Sequence, residues 1–89
     1  MTVTFLPETS NPVRLRPELA PREQEVLLAW ILCDNKEDVA RQLEISATTV
    51  RTHLQRIRDK YAAVGRPAST KAALVARAIQ DGLIDVNDL

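Results

Sequence analysis

Apolar residues recur along this chain at helical spacing in four separate stretches. Val26, Leu27, Trp30 and Ile31 fall at i, i+1, i+4 and i+5, on one side of a helix. Val39, Ala40 and Leu43 make a second, shorter stripe. Ala47, Val50, Leu54, Ile57 and Tyr61 recur at i, i+3, i+7, i+10 and i+14, the longest stripe in the chain. Leu74 and Ala78 begin a fourth, widened by Ala72, Val75, Ala76 and Ile79 to about half the circumference. The punctuation agrees with these stripes. Pro21 suits a first helical position, and Asp34-Asn35 interrupts the pattern after Cys33. Asn35 is a candidate N-cap, with Asp38 placed to return a capping-box bond. Ser46 is the next cap candidate, and Gly82 is a C-cap residue. The pattern predicts an all-α, four-helix bundle with helices over about 21–33, 36–44, 47–63 and 70–81.

The flanks read differently. Pro7, Pro12 and Pro17 deny residues 1–18 a regular helix, so this stretch is expected to be an extended linker or N-terminal arm. Val3, Phe5 and Leu6 are placed to form a short strand or to dock on the body. The folded domain is expected over 19–84, and 85–89 reads as a C-terminal tail.

Composition narrows the class. Eighty-nine residues with 45% apolar content suit one small core, and 3% aromatics disfavour a β-sandwich. One Cys and one His exclude an intramolecular disulfide and a Cys/His zinc cluster. There is no Gly-rich phosphate loop and no paired carboxylate set, so an enzyme is not expected, nor a cofactor. No apolar run is long enough to span a membrane and no signal segment opens the chain. The expected location is the cytoplasm.

The net charge is zero, but its distribution is uneven. Residues 1–40 carry −3. Residues 41–77 hold eight basic residues against Glu44 and Asp59, a net +6. Residues 78–89 carry −3 through Asp81, Asp85 and Asp88. A basic middle between acidic ends is a candidate anion-binding surface.

The second and third helices meet at a corner: Leu43-Glu44 ends one, Ile45 fills the turn and Ser46 caps the next. That is helix-turn-helix spacing, in which the second helix offers its N-terminal half to the DNA major groove. The groups exposed there are Thr48, Thr49, Arg51, Thr52, Gln55 and Arg56. Arg bridges guanine O6 and N7, Gln bridges adenine N6 and N7, and Thr brings a hydroxyl and a methyl.

Here the residues carry a resemblance. The opening Leu19-Ala20-Pro21-Arg22-Glu23-Gln24-Glu25-Val26-Leu27 resembles that of the LuxR-type (NarL/FixJ, GerE-like) helix-turn-helix domain. The run Val39-Ala40, Leu43, Ile45-Ser46, Thr49-Val50-Arg51 and His53 is similar to its core, and Ile57, Lys60 and Gly82-Leu83-Ile84 also fit. The resemblance implies a bacterial transcription-regulator domain, often the output end of a two-component response regulator, that binds double-stranded DNA and dimerises through its fourth helix. It implies base contacts from Thr48, Arg51, Thr52 and Gln55. It implies phosphate contacts from Lys36, Ser46, Thr49, His53, Arg56 and Lys60, and a homodimer interface at Ala72, Val75, Ala76 and Ile79. A receiver or sensor domain would precede such a domain. The chain departs from the pattern at Ala20, where the family has a capping Thr, at Cys33-Asp34, and in a longer stretch from Gly65 to Thr70.

Blander readings apply to the remaining candidates. His53 has no nucleophile at catalytic spacing, so a structural or phosphate-flanking role is expected. Cys33 reads as a small hydrophobe and Trp30 as core. Asp85 and Asp88 read as solvated tail residues, and Arg58 beside Asp59 as a surface pair. The alternative function is a helical protein-interaction module whose basic face meets an acidic partner.

Overall fold

The computed structural model describes residues 15–89, and these form four α-helices with no strand among them. They are α1 (Pro21–Leu32), α2 (Lys36–Leu43), α3 (Ala47–Ala63) and α4 (Lys71–Gln80), followed by a short 3₁₀ turn at Val86–Asp88. The all-α expectation holds, and each helix lies within a residue of its expected span. The strand or docking segment expected at Val3, Phe5 and Leu6 lies outside the described residues.

The caps explain the boundaries. Asn35 accepts from the Asp38 N–H at 2.9 Å and Ser46 from the Thr49 N–H at 3.0 Å. Thr70 does the same for Ala73 at 3.1 Å. The capping box expected at Asn35 is half made, because the Asp38 carboxylate turns to Arg41 instead. Ala20 has no side chain to cap α1, yet Glu23 accepts from the Ala20 N–H at 2.9 Å and so closes the other half of a box. Gly65 and Gly82, at φ 76° and 73°, take the left-handed positions that end α3 and α4.

The core is where the stripes predict it. Val26, Leu27, Val39, Val50, Leu54, Ile57, Tyr61, Leu74 and Ala78 are fully buried, joined by Trp30, Ile31, Ala68 and Ile84. α1 packs on all three other helices, and α2 packs on α3. Burying such apolar side chains contributes about 1.5–3 kcal/mol each. α1 is thereby the hub that holds α2 and α3 at their mutual angle.

Both flanks of the bundle are tied to its body. The extended stretch is not a free arm to its end, since Leu15 and Glu18 offer backbone carbonyls to Arg66 and Lys60 at 2.6 and 3.1 Å. Asp81, counted above among the charges of the acidic end, is not on the surface. It is buried against Arg66 at 2.8 Å and accepts the Tyr61 hydroxyl at 2.8 Å.

Candidate nucleic-acid interface

The corner between α2 and α3 is built from backbone geometry first. Glu44 sits at φ 59°, a left-handed position, and the Ile45 N–H returns to the Ala40 carbonyl at 3.0 Å. This ends α2 and redirects the chain within three residues. Ile45 packs partly into the core and Ser46 then starts α3. The turn sets the direction of α3, and the buried Val50, Leu54, Ile57 and Tyr61 fix which of its faces meets the body.

The outward face of α3 carries Thr48, Arg51, Thr52, Gln55 and Arg56, all exposed. These are the base-contact candidates together with one phosphate candidate, so the structure brings them onto one surface. Their side chains are partly organised already. The Thr52 hydroxyl donates to the Thr48 carbonyl at 3.1 Å, which leaves its methyl and lone pairs outward. One Arg51 guanidinium nitrogen donates to the Thr48 hydroxyl at 3.3 Å, leaving most of its fork available. The Gln55 amide donates to Asp59 at 3.0 Å. Arg56 has no partner within the described residues.

The other phosphate candidates separate. Ser46 is exposed at the mouth of the turn, its hydroxyl shared with the Thr49 hydroxyl at 2.9 Å. Thr49 and His53 are half-buried, and the His53 Nδ1 is shut from solvent with no hydrogen-bond partner. The Lys36 ammonium lies 5.0 Å from the centre of the Trp30 ring, which Lys71 approaches at 4.3 Å from elsewhere. Lys60 is turned inward. It donates to the Glu23 carboxylate at 2.6 Å and to the Glu18 carbonyl, so its charge is committed within the chain. Burial works against the Glu23 charge. The Lys60 ammonium and the Ala20 N–H outweigh it and hold the carboxyl below its usual range.

The basic middle of the chain is therefore not one basic surface. Lys60 is paired with Glu23, Arg66 with Asp81 and Arg41 with Asp38, three acids from outside the segment. Lys71 and Arg77 are held by the Cys33 and Pro67 carbonyls at 2.5 and 3.0 Å. Arg51, Arg56 and Arg58, all on α3, form no ion pair among the described residues. Arg58 was expected to pair with Asp59. It does not, because neighbouring residues on a helix point about 100° apart; Asp59 accepts from Gln55 one turn back instead, and the Arg58 Nε is buried without an acceptor among the described residues, beside an open cleft of about 340 Å³. Charge counting could not single it out, since both neighbours were equally available in sequence.

On α4, Leu74 and Ala78 face the core, while Ala72 and Ala76 are exposed and Val75 and Ile79 are half-buried. The four residues expected at a dimer interface thus remain at least partly accessible.

A family model, that of the luxR family of bacterial regulatory proteins, matches residues 17–73, more than half of the chain. The chain belongs to that family. The match spans α1, the α2–α3 corner and the whole of α3, and it ends three residues into α4. It supports DNA-binding transcription regulation as the role of this domain, in a family of regulators rather than enzymes. No curated protein and no solved structure matches the chain. No helix among the described residues is long and apolar enough to cross a membrane.

Proposed function

We propose that this luxR-family domain reads a specific double-stranded DNA sequence with the N-terminal half of α3 in the major groove. The observation that carries this reading is the sorting of charge. The cations of α4 and of the loop before it are held by partners within the molecule, while Arg51, Arg56 and Arg58 of α3 form no ion pair among the described residues and lie beside exposed Thr48, Thr52 and Gln55. Arg51, Thr52, Gln55 and Thr48 contact bases. Ser46, Thr49, His53, Arg56 and Lys36 meet the phosphates, with Arg58 joining them; Lys60 serves the fold instead. Two copies bind together through Ala72, Val75, Ala76 and Ile79 of α4, on an inverted repeat in the cytoplasm. Switching by phosphorylation or inducer belongs to a preceding receiver or sensor domain.

The test is selection from a randomised duplex pool at moderate and raised salt. Enrichment of a half-site, above all as an inverted repeat, is the expected result. Salt-sensitive retention without enrichment would instead favour the alternative, a basic face serving an acidic protein partner.

A further inference from the structure

Gln55 and Asp59 lie one turn apart on the exposed face of α3, and the Gln55 Nε2 donates to the Asp59 Oδ1 at 3.0 Å. A carboxylate accepts and does not donate, so this contact decides which way the amide faces. Its nitrogen is turned toward Asp59, and one of its two N–H groups is used there. What remains for a ligand is one N–H and the carbonyl oxygen, side by side. Among the described residues Asp59 forms no ion pair: Arg56, one turn before it, and Arg58 beside it leave it unpaired, and Lys60 is held by Glu23. Arg51, one turn before Gln55, is directed to Thr48.

The remaining donor and acceptor match one base edge. Adenine presents an acceptor at N7 beside a donor at N6 in the major groove. Guanine presents two acceptors, N7 and O6, and satisfying both takes two donors. With one N–H engaged by Asp59, Gln55 has one donor left and sets its own oxygen against guanine O6. Asp59 has the wrong sign for a surface that meets a polyanion, and it lowers affinity for every sequence. Its contact with Gln55 is what a bare electrostatic reading leaves unexplained. Exclusion of water at the interface strengthens that contact over its value in the free domain.

We propose that Asp59 is a positioning residue that makes Gln55 a reader of adenine over guanine. The inference rests on the DNA-reading role of α3 given above.

The whole chain and its Gln55→Ala, Asp59→Ala and Asp59→Asn variants, each shown to be folded by circular dichroism, are taken through the randomised-duplex selection. The parent is expected to enrich adenine at a position where Gln55→Ala does not. Asp59→Ala is expected to lose adenine-over-guanine preference at that same position, on the order of 10-fold, while binding all duplexes more tightly. Asp59→Asn removes the charge but keeps a carbonyl acceptor. It is expected to share the tighter binding and to restore the preference lost in Asp59→Ala. Unchanged preference in Asp59→Ala overturns the proposal, as does a loss at a different position, which would make Asp59 itself a base reader. An Asp59→Asn variant as relaxed as Asp59→Ala also overturns it, by tracing the effect to charge. A parent that enriches no sequence overturns the DNA-reading role and this assignment together, whereas an enriching parent with an unaltered Asp59→Ala overturns this assignment alone.

Discussion

At the scale of single residues, cations of similar appearance in the sequence divide by what holds them. Arg51 faces out with most of its donor fork free. Arg51→Ala is expected to cost about 1–3 kcal/mol of specific binding and to relax the preferred site. Arg56 has no partner among the described residues, so Arg56→Ala should weaken all duplexes alike and flatten the salt dependence by about one unit of slope. Lys60→Ala should do neither. It strips Glu23 of its main partner, and the loss appears as a lower melting temperature, short of the roughly 3–5 kcal/mol of a fully buried pair because Lys60 is 38% exposed. Since the Glu23 carboxyl is held below its ordinary value of 4.5, its contribution is present at neutral pH and is lost as pH falls through that region. The parent should therefore lose its stability advantage over Lys60→Ala in melts taken at progressively lower pH. All of these side chains are plain in the sequence. Whether a lysine points to solvent or to Glu23, thirty-seven residues away, is not.

At the scale of elements, the α2–α3 corner and the α3–α4 connection are built by different means. The corner is local: a left-handed Glu44 ends α2 and a Ser46 cap starts α3 two residues later, the cap legible in advance and the conformation of Glu44 not. A non-glycine residue at φ 59° costs roughly 1–2 kcal/mol. Glu44→Gly should recover about 1 kcal/mol, partly offset by unfolded-state entropy, and raise the melting temperature by a few degrees. The α3–α4 connection is long-range. Arg66, in the stretch between the helices, joins Asp81 at the end of α4, Tyr61 in α3 and the carbonyl of Leu15. Removing one member of a buried pair costs about 3–5 kcal/mol, so Asp81→Ala should unfold the domain well before the parent on heating. Burial and the bond to Asp81 push the Tyr61 phenol well above its ordinary 10.0. The protonated phenol is the form that the fold favours, so its contribution is full at neutral pH and declines as pH rises beyond 10.0. Melts on either side of that pH check the sign, with Tyr61→Phe, which cannot ionise, as the control.

At the scale of the whole molecule, a neutral chain presents unpaired arginines on α3 because folding pairs charge elsewhere among the described residues. Packing also leaves one side of α4 uncovered. Ala76→Glu places a charge on that exposed side without touching the core. It should leave the melting temperature and the affinity for a single half-site near the parent values, while reducing affinity for an inverted repeat by about 10-fold or more, measured by titration of both duplexes. Much of this was legible in the residues themselves. The stripes over 26–31, 39–43, 50–61 and 74–78, with caps at Asn35 and Ser46, determined four helices, their approximate ends, the core and the outward face of α3. Helical periodicity and capping are local, acting within one or two turns, so sequence carries them in full. Tertiary structure alone decided that Lys60 meets Glu23 and that Arg66 and Asp81 lie buried together. Both choices join residues far apart in the chain, and an ion pair forms where packing brings opposite charges within a few ångströms while excluding water, a condition that no local pattern encodes.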